Sequence, residues 1–170
     1  MRFRFGARQI VALEHLSGEG TGHIDMYACF TSPDTILVGE YDEFVDPDNA
    51  AALDRNAARL AEVPIGSGKL KVIRVPMPTN QDGVWRSFTN VIFANGTLLV
   101  PAYPDVDLSG GERALAIYCR LLPGWRVFGV DVSTMARHQG GLRCVTLYVP
   151  ETGERESNTA PRGPSPDPDR

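Results

Sequence analysis

Nowhere in this chain do lysine and arginine cluster, and a formal charge of -4 with a pI of about 5.4 leaves no basic surface for a phosphate backbone. A nucleic-acid partner is not expected. Long apolar runs are also missing: the longest are of strand length, too short for a membrane-spanning helix. The opening Met1-Arg2-Phe3-Arg4-Phe5 lacks the apolar stretch and small-residue cleavage site of a secretory signal, which predicts a cytoplasmic protein without membrane association. Cysteine is scarce. The three that occur are widely spaced and form no C-x-x-C, so neither a disulfide framework nor a zinc cage is expected. A free reactive thiol stays open.

What is present suffices for one globular domain with a core, or for a piece of a larger one, since 42% of the 170 residues are hydrophobic. Residues 24–30 suit a strand, Pro33-Asp34 a turn and residues 36–39 a returning strand. Asp46-Pro47 reads as an N-cap with proline at the first helical position, ahead of an apolar stripe of Ala50, Leu53, Ala57, Leu60 and Ala61 that runs to Val63. Gly66-Ser67-Gly68 breaks that helix, and residues 70–75 alternate as a strand. The order is β-β-α-β.

The same order then returns. Residues 88–94 read as a strand, Asn95-Gly96 is a strong hairpin signal, and residues 97–100 form the partner strand. Ser109 and Glu112 fit a capping box ahead of a stripe of Ala114, Leu115, Ile117, Tyr118 and Leu121, which Pro123-Gly124 ends. Residues 125–132 close the second unit. Two consecutive units of similar build imply a modular α/β architecture in which each unit covers the next. Residues 145–149 read as a further strand. Residues 151–170 are polar and rich in proline, which predicts a disordered tail after a folded region spanning 1–150.

Two separated motifs carry chemistry: Thr21-Gly22-His23-Ile24-Asp25, and Gly140-Gly141-Leu142-Arg143-Cys144. They supply a histidine, a carboxylate and a thiol, the groups of a cysteine-nucleophile hydrolase. A thiol attacks as thiolate and needs a positive neighbour or a base. His23 can be that base. In an extended strand Asp25 shares its face, where it can orient the imidazole or bind a cation. The glycine pair lets a loop backbone come close to a ligand.

Each residue has a plainer reading. His23 can be a hydrogen-bonded strand-end histidine, Asp25 a solvated carboxylate and Cys144 an inert buried thiol, the role that Cys29 and Cys119 fit within their apolar runs. Asn90 can serve the cavity or a ladder edge. Trp85 and Arg86 can stack on a cationic substrate, with ordinary packing the expected role, and Asp105 with Asp107 is expected in a solvated loop. Metal binding by His23, Asp25 and Cys144 is a weaker alternative.

The stretch Gly18-Glu19-Gly20-Thr21-Gly22-His23-Ile24-Asp25-Met26 is joined by Phe88-Thr89-Asn90-Val91-Ile92-Phe93-Ala94-Asn95-Gly96 with Val100-Pro101-Ala102-Tyr103, and by Gly140-Gly141-x-x-Cys144-Val145-Thr146. In this order, over residues 9–150, the chain resembles the agmatine deiminase and bacterial-type peptidylarginine deiminase family. The resemblance implies a pentein fold, a fivefold pseudosymmetric β/α propeller of β-β-α-β modules, here in part. It implies that Cys144 is the nucleophile forming a covalent thiouronium, that His23 is the general acid and base, and that Asp25 binds guanidinium nitrogens. Beside these, the residues themselves offer Asn90 as a candidate substrate contact, with a ladder edge as its other reading, and Gly140 and Gly141 as support for the nucleophile loop. No metal and no organic cofactor is implied.

The implied substrate is a small guanidino compound, agmatine or an arginine-like molecule, and the implied product of agmatine is N-carbamoylputrescine, on the way to putrescine and other polyamines. Two departures accompany the resemblance. Arg143 stands where the family commonly has histidine, and a full member is about twice as long. The chain therefore reads as a C-terminal half. A truncated, inactive or partner-completed fragment is one alternative, with association through open strand edges and low activity expected of the isolated chain. An arginine or peptidylarginine deiminase, or an amidinotransferase of the same fold, is another.

Overall fold

The computed structural model describes residues 9–149. The tail expected over 151–170 and the N-terminal segment over 1–5 lie outside the described residues. The first sheet starts with β1 (Ala28–Ser32) and β2 (Thr35–Glu40), an antiparallel hairpin turning at Pro33-Asp34. Helix α1 (Pro47–Ala61) and a two-residue hairpin, β3 (Pro64–Ile65) with β4 (Gly68–Lys69), lead to β5 (Lys71–Pro76). β5 lies parallel to β2, Ile36 opposite Val72, and the crossover helix is what parallel pairing requires.

The second sheet repeats this order. β6 (Ile92–Ala94) and β7 (Thr97–Ala102) are antiparallel, α2 (Leu108–Leu121) crosses over, and β8 (Arg126–Asp131) pairs parallel to β7. Asn95 and Gly96 both have positive φ, 49° and 72°, the demand of a tight hairpin turn whose twist matches its strands. A short helix α3 (Ser133–Arg137), which no sequence signal announced, follows β8. Neither sheet closes on itself among the described residues.

Strand alternation decides the core. In β2, Ile36 and Val38 join one apolar cluster with Leu53, Ala57 and Leu60 of α1, while Leu37 between them joins the other, with Val75, Phe88, Leu98 and Tyr118. Helix α1 therefore covers one face of the first sheet, and α2 contacts β5 as well as β7 and β8. Buried on both faces, β2 reads as a continuous apolar run. Each such side chain contributes about 1.5–3 kcal/mol by leaving water. Gly39 in the same strand has no room for a Cβ, which would stand 2.6 Å from Met77 Sδ.

Four local expectations are corrected. The strand expected over 24–30 begins only at Ala28, because Ile24–Met26 is a single 3-10 turn closed by Tyr27 N–H donating to the Ile24 carbonyl. The strand expected over 88–94 is confined to Ile92–Ala94, since side chains rather than a ladder satisfy the preceding backbone. Residues 145–149 form no strand; Arg143–Val145 is another 3-10 turn. Finally, α2 is capped by Asp107, whose carboxylate accepts from Gly110 N–H at 2.8 Å, not by Ser109. Asp46 caps α1 in the same way, with Pro47 at its first position as expected.

Candidate active site

The loop before the first 3-10 turn is folded by one carboxylate. Glu19 accepts from Thr21 N–H at 3.0 Å, the Thr21 hydroxyl at 2.7 Å and Gly22 N–H at 2.7 Å, and Thr21 Oγ1 in turn accepts from His23 N–H at 3.2 Å. These bonds present His23 on an exposed bend. Across the sequence, α3 ends at Arg137 with His138 as its C-cap, and Gln139 with φ 58° turns the chain into Gly140 and Gly141. Cys144 N–H then donates to the Gly141 carbonyl at 3.2 Å within the second 3-10 turn. His23 and Cys144 line one cleft of about 250 Å³, walled also by Glu19, Trp85, Arg137 and Gly140.

Asp25 is placed differently from the shared strand face that an extended reading assigned to it. The 3-10 turn ends strand alternation, and Asp25 lies outside the cleft wall with its side chain 23% exposed. Its main-chain carbonyl accepts from the Thr89 hydroxyl at 3.0 Å and the Ser87 hydroxyl at 3.4 Å. Its carboxylate Oδ2 accepts from Asn90 Nδ2 at 3.0 Å and lies 3.9 Å from Arg143 Nε. Asn90 Oδ1 accepts from Arg143 N–H at 2.8 Å. The structure thus gathers Asp25, Asn90 and the residue before Cys144 into one cluster, and His23 and Cys144 onto one cleft.

Buried hydroxyls hold this arrangement. Ser87 Oγ accepts from the N–H groups of Thr89 and Asn90 at 2.9 and 3.1 Å, and Tyr103 Oη accepts from Ser87 N–H at 3.0 Å while donating to its carbonyl at 3.2 Å. Such partners let a nonrepetitive backbone be buried without orphaned polar groups. Burial pushes the Tyr103 phenol up to about 12 and so keeps it a neutral donor. Nothing in the sequence marks Ser87, and Tyr103 stands there only as the end of the Val100-Pro101-Ala102-Tyr103 motif; a hydroxyl next to an apolar strand-like run carries no signal that it will close on a loop sixty residues away.

The remaining candidates separate. Trp85 lines the cleft, so its expected role as ordinary packing is only part of its placement. Arg86 does not reach it; 3% exposed, its guanidinium grips Asp82 through two bonds of 2.9 and 2.7 Å and donates to the Thr79 and Val84 carbonyls. Asp105 accepts from Ser133 Oγ and pairs with Arg137, and Asp107 is a helix cap, so neither is merely solvated. Cys29 is half-buried, but Cys119 is exposed on α2, against the expectation of a buried thiol. Among the described residues no three metal-ligating side chains converge, so the metal reading of His23, Asp25 and Cys144 falls. No described helix is long and apolar enough to cross a membrane.

The chain is 29% identical over 160 residues to a protein of Streptomyces coelicolor named "Putative agmatine deiminase", covering 88% of this chain and 46% of that one. The agmatine deiminase of C. jejuni superposes with a TM-score of 0.71 at 25% identity, over 84% of this chain and 43% of its own. A structure from Porphyromonas gingivalis named "Putative Arginine Deiminase" superposes with a TM-score of 0.78 at 28% identity, over 88% and 45%. The chain thus spans about half the length of the relatives it matches. Residues 1–150 match the family described as Porphyromonas-type peptidyl-arginine deiminase, and to that family the chain belongs.

Proposed function

We propose that the chain carries the nucleophile-bearing part of a guanidine-modifying hydrolase of the agmatine deiminase type. The observation that supports this most is the joint placement of His23 and Cys144 on one cleft, with the Asp25 carboxylate tied through Asn90 to the backbone of the residue before Cys144. In the proposed reaction the Cys144 thiolate attacks the guanidinium carbon. A carbon–sulfur bond forms, a carbon–nitrogen bond breaks, and His23 gives its proton to the departing ammonia. Water, activated by the same imidazole, then displaces the thiol and leaves a ureido product. With agmatine that product is N-carbamoylputrescine, a step towards putrescine. Asp25 offers the planar fork of donors on a guanidinium the carboxylate it prefers.

Under this reading the two like-ordered sheets are modules of a pentein propeller whose other modules come from a partner chain, a second copy or a longer polypeptide, and the protein works in the cytoplasm. One observation favours a second substrate. The Arg143 guanidinium, 62% exposed and 3.9 Å from Asp25, places a cation beside the site, which suits a guanidino substrate carrying a carboxylate, such as arginine.

The test is ammonia and ureido-product release from agmatine, arginine and an arginyl peptide, by the chain alone and mixed with the first half of the Streptomyces coelicolor relative. Turnover of agmatine in at least one setting, abolished by Cys144→Ala, is expected. Absence of ammonia from all three substrates in both settings would overturn the reading.

A further inference from the structure

Arg143 brings a guanidinium of the chain's own to Asp25, the carboxylate to which the proposed reaction assigns a guanidinium substrate. Its Nε lies 3.9 Å from Asp25 Oδ2, and among the described residues no other cation pairs with that carboxylate. The contact is an ion pair without a hydrogen bond. Oδ2 already accepts from Asn90 Nδ2 at 3.0 Å, while Oδ1 has no hydrogen-bond partner among the described residues and keeps its accepting capacity.

The main chain and the side chain of Arg143 are held very differently. The N–H donates to Asn90 Oδ1 at 2.8 Å, and the carbonyl accepts from Thr146 N–H at 3.1 Å and from the Thr146 hydroxyl at 2.9 Å. Gly141 lets the loop come this close, since a Cβ there would stand 2.8 Å from Asn90 Cγ. The guanidinium, by contrast, makes no hydrogen bond to a described residue, and the side chain is 62% exposed. A pinned main chain carrying a long side chain held by charge alone makes an arm that swings into solvent at little cost.

Asp25 stands outside the wall of the cleft that His23 and Cys144 line, so a guanidinium that reaches both the thiol and the carboxylate must enter the surroundings of Arg143. Two such cations on one carboxylate repel each other, and its two oxygens can face the planar fork of only one of them.

We propose that Arg143 is an internal competitor: its guanidinium holds the substrate's place on Asp25, and a guanidino compound binds by displacing it. This side chain thereby sets the affinity of the site for guanidinium. The proposal rests on the roles given above to Asp25 and Cys144, and deepens them.

The test reads binding, not turnover. Methylguanidine, a planar cation with almost no tail, is titrated against the iodoacetamide labelling of Cys144 on the full chain, followed by peptide mass mapping. Each chain is referred to its own unprotected rate, so a changed thiol reactivity cancels. Methylguanidine should protect Cys144, and Arg143→Gln should lower the concentration for half-protection by about threefold to fivefold, the scale of an exposed charge pair. In the wild-type chain the Arg143 Nε–H resonance, assigned by its loss from the Arg143→Gln spectrum, should shift along the same titration. Asp25→Asn should shift it without any ligand.

A half-protection concentration that stays the same or rises in Arg143→Gln, or an Arg143 resonance that methylguanidine leaves unmoved, overturns the competitor role while sparing the functional reading. Failure of methylguanidine to protect Cys144 in the wild type and in Arg143→Gln alike overturns the assignment of Asp25 and Cys144 to a guanidinium site, and the competitor role with it.

Discussion

Cys29 Sγ lies 3.1 Å from the hydroxyl of Tyr118, which itself donates to the Phe88 carbonyl at 2.9 Å. The hydroxyl proton is spoken for, so the thiol is the donor. This chain of two bonds ties β1 of the first sheet to α2 and to the irregular segment behind the site. Burial pushes the Cys29 thiol up to about 11.

The three cysteines should therefore label in a definite pattern. Iodoacetamide on the native chain at neutral pH is expected to modify Cys144 and the exposed Cys119, and to reach Cys29 only after denaturation. Adding agmatine or arginine should protect Cys144 and leave Cys119 unchanged. Mass mapping reads both outcomes, and early labelling of Cys29 would contradict its placement between the sheets.

His23 is exposed, and its hydrogen bonds to the fold are made by its main chain: its N–H donates to Thr21 Oγ1 and its carbonyl accepts from Met26 N–H. His23→Ala should leave the melting temperature nearly unchanged and lower turnover by about a hundredfold to ten-thousandfold, the usual range for lost proton transfer. Retained turnover would remove it from the mechanism.

Stability should respond to acid through Asp82. Hydrogen bonding from Arg86 holds its carboxyl down at about 2. A depressed carboxylate stabilises the fold above its unfolded value of about 3.9 and loses that contribution as pH falls through the folded value, so the window runs from about 4 to about 2. Denaturation followed at several pH values should show Asp82→Asn flattening the profile in that window. It should also lower stability at neutral pH, since Arg86 is left buried without its counter-charge.

Arg143 should bias substrate choice. Agmatine ends in an ammonium and arginine carries a carboxylate, so removing the cation by Arg143→Ala should raise kcat/KM for agmatine relative to arginine by up to about fivefold, the scale of an exposed charge pair. A ratio that stays the same or falls would exclude the side chain from specificity.

Secondary structure with local causes was legible in the sequence. The Asp46 cap with Pro47 after it, the Asn95-Gly96 turn and the helical stripes of α1 and α2 depend on residues within one or two turns of each other, and all stand where the pattern put them. The grouping of His23 and Cys144 was accessible only through motif resemblance, because nothing local joins them.

Tertiary structure alone decided the rest. A 3-10 turn replaced the strand at Ile24–Met26 because the Ser87 and Thr89 hydroxyls satisfy the Asp25 carbonyl that a ladder would otherwise have engaged, while Asn90 holds its carboxylate. The role of Asn90 was equally hidden. An amide within an apolar run has the same local signature whether it faces a ladder edge or bridges two loops, and only the close approach allowed by Gly141 selects the second. Sequence fixes which hydrogen-bonding groups a residue carries, while the packing of the two sheets around α2 determines which partners come within three ångströms of them.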